Sequence, residues 1–263
     1  MEAIIRLSAF FGILLIMIGW EFLRPRRKLQ LHRIQRWPIN LGLGLLNSGL
    51  LRIVAGGIAY QSAFTAAANS WGLLNWVLVP HWLAFLATLL FLDFAIYAQH
   101  VLSHKWSLLW HLHQIHHTDL DFDATTAIRF HPLEIFISMA YKIFCILLIG
   151  ADPLAVIAFE IILNGCAMFN HGNVYIPPAI DGKLRWLLVT PDMHRIHHST
   201  IPVETDSNYG FSISCWDRLC RTYRAAPAKP HRLMDIGLAP FRRQAELGFG
   251  SLLLLPFRPL RRR

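Results

Sequence analysis

The segment "HWLAFLATLLFLDFAIYAQHVLSH", residues 81–104, decides the fold. It opens after Pro80 with an apolar run to about residue 99 and closes on two histidines. A run of that length fits the roughly 30 Å hydrocarbon core of a bilayer. A carboxylate at such depth is costly unless it has a function, so Asp93 is informative. Asp93, Tyr97, His100 and His104 recur at i, i+4, i+7 and i+11, which puts them on one stripe of a helix. The segment therefore reads as a membrane helix whose exit end carries polar chemistry.

Comparable runs occur at about 4–22, 39–60, 133–150 and 154–170. The last two are separated by Ala151, Asp152 and Pro153 and predict a tight helical hairpin. Gly42, Gly44, Gly49, Gly56 and Gly57 in the second run are small residues that permit close helix packing. The composition agrees. Hydrophobic residues make up 54% of the 263 and charged residues 16%, against about 25% charged in soluble domains. The expected fold is all-α: a polytopic bundle of about four to five membrane helices with a cytoplasmic, histidine-rich helical cap. The expected division is 1–80 for the first two membrane helices, 81–224 for a histidine-rich domain and 225–263 for a basic interfacial tail. Residues 244–257 are apolar but too short to span, and are expected to lie against the cap or the interface.

The net charge of +9 does not point to nucleic acid, because no recognition motif accompanies it. The basic residues gather beside apolar runs: Arg24, Arg26, Arg27, Lys28, Arg33 and Arg36, then Arg258, Arg261, Arg262 and Arg263. This pattern reads as anchoring against anionic lipid on the cytoplasmic side. The first run is longer than a signal-peptide core, lacks a small-residue cleavage site and is followed by "RPRRK", so it reads as a retained membrane helix. Counting passes from the basic loop places every dense histidine cluster on the cytoplasmic side. The four cysteines form no CxxC pair, which speaks against a zinc knuckle or a thioredoxin-type site.

Eleven of the fourteen histidines lie between positions 100 and 198. His100 and His104 are four apart; "HQIHH" (113–117) and "HRIHH" (194–198) repeat one HxxHH spacing. Residues three and four apart share a helix face, so each set is expected to aim its imidazoles at one point. Neutral imidazole is a common metal ligand. Eight such ligands exceed the needs of one ion and suit two, each with about four nitrogens. His171, in "FNHGN", has the depth and side of a further ligand. His131, in "RFHP", is expected as a ligand or as support for one, and Asp93 as an acceptor for the outer N–H of a ligand. Asn164 and Asn170 are weaker candidates for support. His111 falls off the face of its neighbours and is expected to meet substrate, phosphate or solvent. His32, His81 and His231 are expected to be ordinary.

The stretches "DFAIYAQHVLSH" (93–104), "LWHLHQIHHT" (109–118), "TAIRFHPLE" (126–134), "FNHGNV" (169–174), "VTPDMHRIHHS" (189–199), "DSNYG" (206–210) and "WDRLCRTY" (216–223) together resemble the fatty acid hydroxylase/sterol desaturase superfamily. The resemblance covers about half the chain. It implies a membrane-bound non-haem di-iron oxygenase that hydroxylates or desaturates a lipid with O2 and electrons from a separate protein. The implied ligands are His100, His104, His113, His116, His117, His194, His197 and His198, with His171 added. Asp93, Tyr97, His131 and Asn208 are the implied supporting residues. The implied cofactor is iron, which zinc can replace in purified protein. The fatty acid 2-hydroxylase branch pairs the fourth-motif histidine with another four residues on; Tyr175 stands there, which argues against that branch. The implied setting is the inner membrane of a bacterium or the endoplasmic reticulum of a eukaryote.

Two other readings of the histidines stay open at this point. One is a zinc-dependent membrane hydrolase, although no HExxH motif is present. The other is a metal transporter, although transport sites favour the bilayer midplane. A bis-histidine haem fits HxxHH triplets poorly.

Overall fold

A computed structural model describes residues 2–55 and 57–259. Gly56, Leu260 and Arg261–Arg263, among them part of the expected basic tail, lie outside the described residues. The helices are α1 (Glu2–Leu23), α2 (Arg33–Ala55), α3 (Ile58–Ala68), α4 (Leu73–Trp76), α5 (His81–Lys105), α6 (Ser107–His117), α7 (Pro132–Ile149), α8 (Pro153–Asn170), α9 (Pro178–Leu184), α10 (Pro191–His197), α11 (Pro202–Thr205), α12 (Cys215–Leu219) and α13 (Phe249–Leu254). Among the described residues there is no strand, only isolated bridges. Five segments are long and apolar enough to cross a membrane: Ile4–Leu23, Arg33–Trp76, His81–Lys105, Pro132–Ile149 and Pro153–Asn170. Their outer faces expose Leu15, Ile16, Phe144 and Leu148, as suits contact with lipid rather than water.

Local chemistry sets the helix ends. Pro132 and Pro153 each occupy the first turn, where a missing N–H costs nothing. The His131 and Asp152 side chains accept backbone N–H groups there. Gly150 ends α7 in the left-handed conformation, with φ 69°. The chain after α3 packs onto that turn. A Cβ on Gly72 would lie 2.1 Å from the Gly150 nitrogen, so this contact requires glycine.

The second membrane segment differs from expectation. The single helix expected at about 39–60 is broken at Gly57, whose φ is 73°. One face of its first half packs on the cap, while Ile34 and Leu45 stay exposed. Arg36, Trp37, Asn40 and Asn47 on α2 hydrogen-bond to the 119–130 segment of the cap. A Cβ on Gly44 would come within 2.9 Å of Ile128, so this small residue admits the cap rather than another membrane helix. The membrane-level core instead joins Ala59 and Ala63 of α3 to Leu92 and Ala95 of α5, Ile146 of α7 and Phe159 of α8.

The basic loop is the other departure. Arg24 and Lys28 are exposed, but Arg26 is paired with Asp192 at 2.8 Å, Arg27 donates to the Met234 carbonyl at 2.7 Å, and Arg36 is fully buried. Three of the expected lipid anchors thus hold the cap instead. They fix the 24–36 loop and the histidine cap at the same end of the bundle. Residues 247–255 close that end, with Leu247, Leu252 and Leu255 packed on Leu43, Trp110 and Ile115.

Candidate metal centre

Four helix ends deliver the histidines. His100 and His104 occupy the last turns of α5, on its buried stripe with Asp93 and Tyr97. His113, His116 and His117 line α6, and His171 caps α8. His194 and His197 lie on α10, where Thr190 accepts the Met193 N–H and Pro191 opens the first turn; His198 caps the helix. All nine are no more than 5% exposed.

Their ring nitrogens form two groups. His100, His104, His113, His117 and His197 offer atoms that all lie within 4.8 Å of one another, and so do His116, His171, His194 and His198. All nine histidines of the implied ligand set are in one of the two. The division is not the expected one, however. Each HxxHH triplet serves both groups. His113 and His117 join the five-membered group while His116 turns to the other; His194 and His198 join the four-membered group while His197 crosses over. Helix geometry explains it. Residues four apart are separated by about 40° around the axis, whereas the i+3 residue stands about 60° to the other side.

The donors fit a metal. A ring nitrogen that faces inward needs a lone pair, so the proton belongs on the outward one. Backbone carbonyls accept from Nδ1 of His100 (Tyr209), His197 (Ser207) and His171 (Ala167), each at 2.7 Å. The Glu134 carboxylate takes that place for His113 at 2.6 Å. The Nε2 atoms of His100 and His113, opposite their bonded Nδ1, and both nitrogens of His117 and His198 are buried without a hydrogen-bond partner. Each such atom costs about 1–3 kcal/mol if left bare. A cation held by each group would offset that cost. Burial and neighbouring imidazoles push His116, His117, His194 and His198 well below the usual histidine range, and His171 down to about 4. The rings are thus held neutral, as coordination requires.

A polar scaffold fixes α6 beneath the cluster. Arg129 donates to the Ile115 carbonyl, Thr118 and Asn40. Arg36 grips Asp119 through two nitrogens at 2.6 and 2.7 Å and Asp123 through a third. That charge holds the Asp119 carboxyl well below its usual range, against the opposing effect of burial. On the α10 side, Arg195 pairs with Asp192 and donates to the Gly172 carbonyl beside His171.

The expected supporting residues fall as follows. Asp93 accepts from Ile213 N–H and the Trp216 indole, and among the described residues it forms no ion pair with a clustered histidine. Tyr97 bonds Thr222, which donates to Asp217, and Asp217 accepts the Tyr209 and Gly210 N–H groups. Asn208, at φ 53°, bonds the Met193 and Arg224 carbonyls and so holds the turn whose Ser207 and Tyr209 carbonyls meet His197 and His100. His131 lies outside both groups: Nδ1 caps α7 and Nε2 faces the Leu253 carbonyl. His111 bonds Ser107 within its own helix. Asn164 donates to the Glu160 carbonyl and Asn170 to that of Phe211. The sequence reading missed Glu134, Arg36, Asp119, Asp123 and Arg129. The acidic run "DLDFD" (119–123) was the available signal.

The model of the family described as fatty acid hydroxylase matches residues 85–222. The chain belongs to the fatty acid hydroxylase family. The matched span holds all nine clustered histidines. Among curated relatives of this family member, the alkylglycerol monooxygenase of Xenopus tropicalis is 34% identical over 145 residues, covering 54% of this chain and 30% of that protein. Ornithine lipid hydroxylase OlsE of Rhizobium tropici is 28% identical over 165 residues, covering 63% and 47%. The Delta(7)-sterol 5(6)-desaturase of Eremothecium gossypii is 28% identical over 156 residues, covering 57% and 39%. The chain thus spans less than half the length of these relatives. No solved structure matches it.

Proposed function

We propose that this protein is a membrane-bound lipid hydroxylase. In the reaction, one oxygen atom of O2 enters a lipid C–H bond as hydroxyl. The other leaves as water, with two electrons from a separate protein and two protons from solvent. The observation that carries the reading is the pair of buried, all-imidazole groups at the ends of membrane helices, one of five residues and one of four. Two irons are the proposed occupants, held by His100, His104, His113, His117 and His197, and by His116, His171, His194 and His198. Iron supplies the oxygen activation and the C–H oxidation. The chain's own part is to present neutral nitrogens, to fix their tautomers through carbonyls and Glu134, and to keep bulk water away by burial. An all-nitrogen donor set also accepts zinc, so zinc in a purified sample agrees with the reading.

The substrate class follows from the names of the relatives, which cite an alkylglycerol, an ornithine lipid and a sterol. Hydroxylation is favoured over desaturation because the monooxygenase and hydroxylase matches are the more extensive in identity or coverage. Residues 81–224 supply every proposed ligand, with the segment before them as membrane support and residues 247–255 closing the cap. The basic residues of the 24–36 loop, at the same end as the cap, support a cytoplasmic site under the positive-inside rule, at the inner membrane of a bacterium or the endoplasmic reticulum of a eukaryote.

The test is lipid mass spectrometry of cells with and without the chain, grown under 18O2. A lipid that gains one labelled oxygen supports the reading. A lipid that loses two hydrogens instead moves it to desaturation. No changed lipid, together with metal flux in liposomes, would replace it with transport.

A further inference from the structure

We propose that Glu134 is a positioning residue that gives the five-histidine group the higher metal affinity of the two. The inference rests on the two-metal reading above. Three of the four outward Nδ1 contacts under 3 Å go to neutral backbone carbonyls; only His113 meets a full negative charge. Glu134 lies in the first turn of α7, where the helix terminus favours an anion. Its side chain is 12% exposed and pairs with no lysine or arginine among the described residues. Its second oxygen is buried without a hydrogen-bond partner. Among the clustered histidines the charge therefore acts on His113; His131, which it also faces, lies outside both groups.

A carboxylate on Nδ1–H draws the proton outward and enriches the inward Nε2, making His113 a stronger donor than a carbonyl-backed ring. It also adds a negative charge close to one ion only. The four-histidine group has no carboxylate within ion-pair distance of a ring nitrogen among the described residues. Asp206 lies 3.4 Å from His104, but it is 30% exposed and shared with Lys105, so water and the ammonium weaken its effect.

The experiment titrates the metal-free full chain, in detergent micelles, with cobalt(II), whose visible spectrum reports imidazole ligation. Wild type is expected to take two ions in two steps. His104→Ala removes the tighter step and His194→Ala the weaker one, which assigns them. Glu134→Gln keeps an oxygen for the Nδ1–H and removes the charge. It is expected to weaken the tighter step about 10–100-fold and leave the other unchanged. Glu134→Asp, which retains the charge, recovers part of the loss. Unchanged affinity in Glu134→Gln, or weakening of the step that His194→Ala removes, would overturn the proposal. Fewer than two cobalt ions on wild type would overturn the two-metal reading instead.

Discussion

The Nε2 atoms of His116 and His171 lie 3.0 Å apart, although 55 positions separate them in the chain. Phe130 stacks on His116 at 4.5 Å, and Phe122 stacks on His171 at 5.5 Å. The aromatic rings hold two buried nitrogens nose to nose, a geometry that a shared cation satisfies.

Removing one nitrogen from either group is therefore expected to end the chemistry while sparing the fold. His116→Ala and His197→Ala should each abolish the oxygenated lipid and lower the bound metal by roughly one of the two ions. The protein should still insert into membranes. Lipid mass spectrometry and metal analysis of membrane fractions check this; product retained in both variants would reject the assignment of ligands.

Arg36 is expected to be worth more to stability than any exposed arginine. Arg36→Met leaves the Asp119 and Asp123 carboxylates unpaired in the interior, which costs about 3–5 kcal/mol. Arg36→Lys should not rescue it, because one ammonium cannot span both carboxylates as the planar guanidinium does. The unfolding midpoint of detergent-solubilised protein reads the effect. A Lys variant as stable as wild type would contradict the bidentate role.

Asn208 combines a left-handed backbone with two side-chain bonds to carbonyls. Asn208→Gly keeps the conformation and loses the bonds, while Asn208→Ala loses both and adds about 1 kcal/mol or more of strain. Metal release to a chelator should quicken in both, more in the Ala variant, because His100 and His197 lose their carbonyl partners. Equal retention across the three proteins would show that the turn does not orient those rings.

Within the membrane, Glu160 of α8 is 3% exposed and pairs with Lys142 of α7 and, at 2.8 Å, with Arg6 of α1. Glu160→Gln strands a largely buried lysine and should destabilise the bundle by about 3–5 kcal/mol. Replacing both Glu160 and Lys142 by Met should recover most of that loss. A double variant less stable than the single one would refute this account.

Chelation of bound metal should lower the unfolding midpoint, and iron(II) or zinc(II) should restore it. An ion that binds only the folded arrangement stabilises it by about 4 kcal/mol at a thousandfold excess over its Kd. Identical melting with and without metal would mean that the groups do not share an ion.

The spans of α1, α7 and α8, the start of α5 and all nine clustered histidines were legible in the sequence. These depend on local rules: the thickness of a bilayer, the 3.6-residue turn and the preferences of proline and glycine at helix ends. The tertiary structure alone decided that α2 leans on the cap, that Arg26, Arg27 and Arg36 turn inward, and that Asp93 serves Trp216 rather than a histidine. It alone divided each HxxHH between two groups, using one spacing in opposite senses on α6 and α10. Spacing fixes the angle between side chains on one helix. Which neighbour each side chain meets depends on how separate helices approach, and that is set by packing among residues far apart in the chain.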